Sequence, residues 1–184
     1  VPVELREDDR FLCTPAAFAA WATGKRQLRM EFFYRTMRRQ YGVLLDNAGQ
    51  PEGGQWNYDI HNRGTPPKQH VFPKHPMIAP DAITRAVMDL VATRFADHFG
   101  DLEPFGYAVT ARDAEACFAD FIQHRLPLFG AYQDAMRNDE PYLYHSHIGQ
   151  YLNTGLLDPL TCCRQVEQAY RAGHVPLAAA EGFI

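Results

Sequence analysis

The stretch YLYHSHIGQYLNTGLLDP, residues 142–159, decides how the second half of this chain is read. Ile148, Tyr151, Leu152 and Leu156 recur at helical spacing, so a helix is expected to open near Ser146. Asp158-Pro159 supplies a cap and a first residue for another helix, which Gly173 ends. His145 and His147 flank the serine where loop turns into helix, and three chemistries compete for them. A metal site fits poorly, because residues two apart on a helix point in different directions and no third ligand follows from the spacing. A serine hydrolase needs an elbow such as G-x-S-x-G between strand and helix, and here the serine sits between two histidines. The third chemistry uses the backbone. A helix start leaves several N–H groups without acceptors, Ser146 adds a hydroxyl, and Gly149 permits close approach, a combination that suits a phosphate. The plainer alternative, Ser146 as a helix cap and nothing more, stays open.

Working outward, Ile83, Val87, Leu90, Val91 and Phe95 predict a helix capped by Asp81. Thr110 and Asp113 fit a capping box for the next helix, with Ala114, Cys117, Phe118, Phe121 and Ile122 on its inner face. A further helix is expected around Tyr132. In the first half, residues 1–14 alternate loosely enough for a strand and a loop, and Thr14-Pro15 opens a short helix with Phe18 and Trp21 one turn apart. A longer helix is expected from about Leu28 to Leu44. Residues 46–80 are dense in glycine and proline and carry no helical period, which reads as a connector pinned by Trp56 and Tyr58.

Hydrophobic residues make up 46% of the 184 and charged residues 22%, the balance of a globular chain rather than a disordered one. A net charge of -4 argues against a generally basic nucleic-acid binder and leaves room for local basic patches. The local run KRQLRMEFFYRTMRRQ, residues 25–40, sets six cations against Glu31. It reads as a solvated helix face or a surface for acidic parts of the same protein, with a patch of salt-dependent affinity for DNA phosphates as the alternative. No apolar run reaches the ~20 residues needed to cross a bilayer, and the first residues carry charge where an export signal needs an apolar core. A cytoplasmic protein is expected. Cys13, Cys117, Cys162 and Cys163 form no C-x-x-C pair and read as reduced, buried or half-buried thiols.

Five ordered motifs then carry a resemblance: RMEFFYRTMRR (29–39), GGQWNYDIHNR (53–63), FGAYQDAM (129–136), HSHIGQYLNTGLLDP (145–159) and EGFI (181–184). The chain resembles the bacterial iron–sulfur photolyase/cryptochrome group, which includes prokaryotic (6-4) photolyases and cryptochrome B-type photoreceptors. The resemblance implies a mainly α internal piece of a longer protein. Residues 1–45 would close an N-terminal α/β antenna domain, 46–80 would be the interdomain linker, and 81–184 would begin the all-helical FAD-binding domain. It also implies cofactor contacts at Tyr132, His145, Ser146, Ile148, Gly149, Glu181, Phe183 and Ile184, with the last three beginning a helix near the flavin. Other photolyases have a second serine at the position of Gly149. A [4Fe-4S] cluster, a lumazine antenna and the electron-relay tryptophans would belong to the rest of the protein, which leaves Trp21 and Trp56 as packing residues and no catalytic or metal-ligating residue here. Damaged DNA and the remainder of its own chain are the implied partners. Two functions follow equally from the same FAD seat: repair of (6-4) pyrimidine lesions by photoinduced electron transfer, or a blue-light receptor that signals through partners. A small helical interaction module without cofactor is the third.

Overall fold

The computed structural model of the chain describes residues 2–6, 8 and 10–184. Eight α-helices occur among them: α1 (Pro15–Ala22), α2 (Met30–Tyr41), α3 (Ala82–Arg94), α4 (Ala111–His124), α5 (Leu126–Phe129), α6 (Gly149–Asn153), α7 (Pro159–Arg171) and α8 (Leu177–Phe183). The fold is mainly α. No strand forms among the described residues, and one isolated antiparallel bridge joins Leu45 to Pro51. The strand expected within residues 1–14 is absent from the described part of that stretch; Val1, Glu7 and Asp9 lie outside the described residues.

Side-chain caps place four of the eight helix starts where the sequence puts them. Thr14, Asp81, Thr110 and Asp158 each accept from an amide three residues on, at 3.1, 2.7, 3.2 and 2.6 Å. The Asp113 carboxylate accepts from the Thr110 hydroxyl at 2.8 Å rather than from the Thr110 amide, so only the forward half of the expected capping box forms among the described residues. Gly42, with φ at 61°, ends α2 in the left-handed conformation that costs glycine nothing.

The core is built by α4, α5, α7 and α8. Ala114, Cys117, Phe118 and Phe121 of α4 are buried, as the helical spacing predicts, against Val166 and Ala169 of α7 and Ala179 and Ala180 of α8. Gly130 lies directly on α8, where a Cβ would stand 2.6 Å from the Ala179 Cα. That close approach lets Phe129 reach the ring of Phe183 at 6.5 Å.

The first half is tied to this core by charge-assisted bonds. Glu167, buried on α7, accepts from the Leu44 amide at 3.1 Å, from Arg171 at 2.8 Å and from Arg164 at 3.0 Å. Arg164 and Arg171 also donate to the carbonyls of Gly42 and Leu45 at 2.8 and 2.9 Å. These bonds hold Leu44 at φ 48°, a conformation uncommon for a leucine.

Five expectations need correction. The helix expected from Ser146 starts at Gly149 and spans five residues, because His147 takes a positive φ of 55° and breaks the helical path. Its N-cap is Ile148 with no side-chain hydrogen bond, so Ser146 is not a cap. Glu181, Phe183 and Ile184 do not begin a helix; Pro176 caps α8 and these residues close it. The helix expected around Tyr132 is a 3-10 turn, Gly130–Tyr132, following α5. Finally, Arg38 belongs to no solvated face: it is 3% exposed and donates to the Leu44 and Val43 carbonyls at 2.6 and 3.2 Å. Helix α3 forms as expected, yet none of its residues is buried within this chain.

Candidate functional site

The segment from His145 to Gln150 departs from regular structure in one specific way. None of the backbone N–H groups of residues 146–150 finds an acceptor among the described residues. The positive φ of His147, followed by Ile148 at φ −99°, sets a left-handed residue before a right-handed one, a backbone pattern found in anion-holding concavities. A five-residue helix contributes little macrodipole, so the local amides dominate. Gly149 is exposed, with nothing within 4 Å of the position a Cβ would take. It lines a cavity of about 290 Å3 with Arg10, Phe11, Leu152, Asn153 and Pro159.

Behind this segment sits a buried polar cluster. The His147 ring packs 4.8 Å from Tyr142 and 4.7 Å from His75. Arg125 is 1% exposed and gives one bond to Asp120 at 2.8 Å, while its Nε and Nη1 are buried without acceptors. The Nε2 atoms of His75 and His147 are likewise buried and unpartnered. Burial pushes both imidazoles below their usual value of 6.5, and the Arg125 charge pushes them further the same way. Both rings are therefore neutral near pH 7, and Arg125 is the positive charge behind the amides.

The other expected contacts fall around the FGAYQDAM segment. Phe129 touches the His145 ring at 5.9 Å and, on its other side, Phe183. Tyr132 stacks on Tyr144 at 5.7 Å, and the Tyr144 hydroxyl meets His70 Nε2 at 2.5 Å. One short segment thus brings Tyr132, His145 and Phe183 into a single neighbourhood. Ile148 is buried in the core, whereas Gly149 is exposed and lines the cavity it shares with Arg10. Ser146 is half-buried and its hydroxyl has no protein partner among the described residues.

Glu181 differs in kind. It is 8% exposed, and its two oxygens accept from the Tyr34 hydroxyl at 2.9 Å and the Tyr58 amide at 3.0 Å. The carboxylate is used as a tie between α8 and the first half of the chain. Phe183 is likewise packed among Phe118, Phe121 and Phe129. Ile184 and Gly182 line a cavity of about 450 Å3 with Asn62 and Gln133, whose side-chain amides bond at 3.2 Å.

Asn62, His75, Arg125 and Gln133 were not among the residues expected from sequence. Each comes from a different segment, and no spacing links them. Trp21 packs on Phe18 and Phe33 at 5.6 and 5.0 Å, a packing residue as expected. The four cysteines are free thiols, Cys117 and Cys162 buried, Cys13 and Cys163 half-buried. Among the described residues no group of three His, Cys, Asp or Glu side chains is placed to hold a metal ion, and no helix is long and apolar enough to cross a membrane.

Comparison with known proteins gives two findings. The family model described as deoxyribodipyrimidine photo-lyase-related protein matches residues 1–107. Over all 184 residues the chain is 50% identical to a protein of Agrobacterium fabrum (strain C58 / ATCC 33970) named (6-4) photolyase, and it spans 36% of that relative's length.

Proposed function

The chain belongs to the deoxyribodipyrimidine photo-lyase-related protein family, and we propose that it is the cofactor-seating part of a blue-light, FAD-dependent enzyme that repairs (6-4) pyrimidine lesions in the cytoplasm. The observation that carries the reading is the row of unpaired amides at residues 146–150, opening beside Gly149 onto a cavity walled by Arg10. These groups fit a diphosphate: backbone donors on the loop, and no side chain at Gly149 to bar the approach. The Ser146 hydroxyl adds a donor.

When bound, FAD supplies the photochemistry, a one-electron transfer to a lesion flipped out of the duplex. This chain's residues bind and orient. The amides and Ser146 hold the phosphates, and the neutral His75 and His147 keep the loop rigid without adding titratable charge. Tyr132, His145 and Phe183 form the aromatic wall around Phe129, and Ile184 lies at the mouth of the adjoining cavity. The [4Fe-4S] cluster and the lumazine antenna are assigned to other parts of the protein. Residues 1–45, 46–80 and 81–184 are read as antenna-domain end, connector and start of the FAD domain.

The deciding experiment is illumination of the full-length protein with blue light on DNA carrying a (6-4) lesion. Restoration of the pyrimidines supports the enzyme. Absence of repair in a protein that holds FAD and changes a regulated output in light assigns it to the photoreceptors instead.

A further inference from the structure

The cations of residues 25–40 are used neither by the core nor by the cofactor reading, apart from Arg38. Helix α2 and its N-cap residue Arg29 set Phe32, Arg35 and Arg39 on one ridge, three and seven residues apart from the phenylalanine. The guanidinium of Arg29 lies 5.9 Å and that of Arg35 5.6 Å from the Phe32 ring centre. Arg39 lies 4.5 Å over the Trp56 ring, and Arg35 lies 5.9 Å from the same ring. Phe32 is 48% exposed. Arg35 is paired with Glu31, the one acidic residue in the run, whereas Arg29 and Arg39 have no carboxylate partner among the described residues. Lys25 and Arg26, both exposed, extend the same charge beyond the helix start.

We propose that this ridge is a nucleic-acid contact, taking the phosphodiester backbone of a strand on Arg29 and Arg39, with Arg35 held by Glu31 between them, and stacking an unpaired base on Phe32. The physical reason is pre-organisation. A guanidinium lying against an aromatic ring has lost much of its side-chain freedom before any ligand arrives, and its N–H edges stay available for phosphate oxygens. Alternating cations and aromatic faces are the combination by which single strands are held without regard to sequence. An acidic protein surface would satisfy the cations but leaves the half-exposed ring between them without a use. The ridge is separate from the residue 146–150 amides, so the inference stands whether or not these seat FAD.

The test uses the full-length protein in the dark, with a fluorescent oligodeoxythymidine and a lesion-free duplex as probes, titrated over a series of salt concentrations. Replacing Arg29→Gln and Arg39→Gln together is expected to weaken oligothymidine binding and to lower the slope of log affinity on log salt by about 1.4, ~0.7 for each lost phosphate contact on a single strand. Phe32→Ala should weaken single-strand binding on the order of fivefold or more while leaving the salt slope unchanged. Arg39→Glu is a second variant, at an exposed position with no ion pair to break. Flavin content and melting temperature, measured on each variant, report the cofactor seat and the fold separately. Unchanged affinity and slope in both arginine variants would overturn the proposal. So would variants that alter oligomeric state or compaction and leave nucleic-acid binding as it was, because that outcome assigns the ridge to a protein surface.

Discussion

The Glu181 carboxylate accepts a hydrogen bond from the Tyr34 hydroxyl at 2.9 Å, joining the last helix of the chain to the second across 147 residues. Burial raises the Tyr34 pKa above its usual value of 10.0, with Glu181 adding to the rise and Arg38 opposing it, so the phenol remains a donor at all ordinary pH. The bond makes Glu181 a structural residue first.

Replacing Tyr34→Phe removes one donor and leaves a buried carboxylate oxygen short of a partner. The expected cost is about 1–3 kcal/mol in denaturant unfolding of the full-length protein. Loss of flavin without loss of stability would assign Glu181 to the cofactor instead.

Two glycines should respond in opposite ways. Gly130→Ala places a Cβ 2.6 Å from the Ala179 Cα, a backbone atom that cannot move aside, and should destabilise by ~1–3 kcal/mol. Gly149→Ser meets nothing within 4 Å and should leave melting unchanged while adding a hydroxyl beside the amides. Thermal melts of the two variants check both.

The contrast shows what could be read from sequence and what could not. The inner face of α4 was legible, because Ala114, Cys117, Phe118 and Phe121 obey a helical period that burial enforces. So were the caps at Thr14, Asp81, Thr110 and Asp158, whose chemistry is local. The start of α6 was not, since the left-handed turn at His147 is imposed by ring packing against His75 and Tyr142, contacts that no local pattern encodes. Arg38 and Arg125 were hidden for the same reason. An arginine is expected at the surface, and only tertiary partners such as the Leu44 carbonyl or Asp120 reveal it as buried.

The imidazoles give a pH dependence with a definite sign. His75 and His147 have folded-state values pushed below 6.5, so above pH 6.5 both are neutral in folded and unfolded chains and their contribution is fully present. As the pH falls below 6.5 the unfolded chain binds protons first, and stability is lost progressively. The groups acting on the pair are Arg125, His145 and Asp120. Urea midpoints measured between pH 7.5 and 5 should decrease. In His147→Gln the decrease should be smaller, and a flat profile in the parent protein would remove this account of the cluster.

Thiol reactivity offers a simple check on the α7 packing. Burial pushes the Cys162 thiol up to about 12 and Cys163 to about 11. At pH 8 both should resist an aromatic disulfide reagent in the folded protein and react at once in denaturant. Fast reaction of either without denaturant would show that α7 is not packed as described.

The cofactor seat itself is tested most directly by the flavin content of the full-length protein carrying Ser146→Glu, purified beside the parent. A carboxylate set among amides that hold a diphosphate should cut FAD occupancy at least tenfold while circular dichroism and melting remain those of the parent. Undiminished flavin in a folded variant would contradict the placement of the phosphates at residues 146–150.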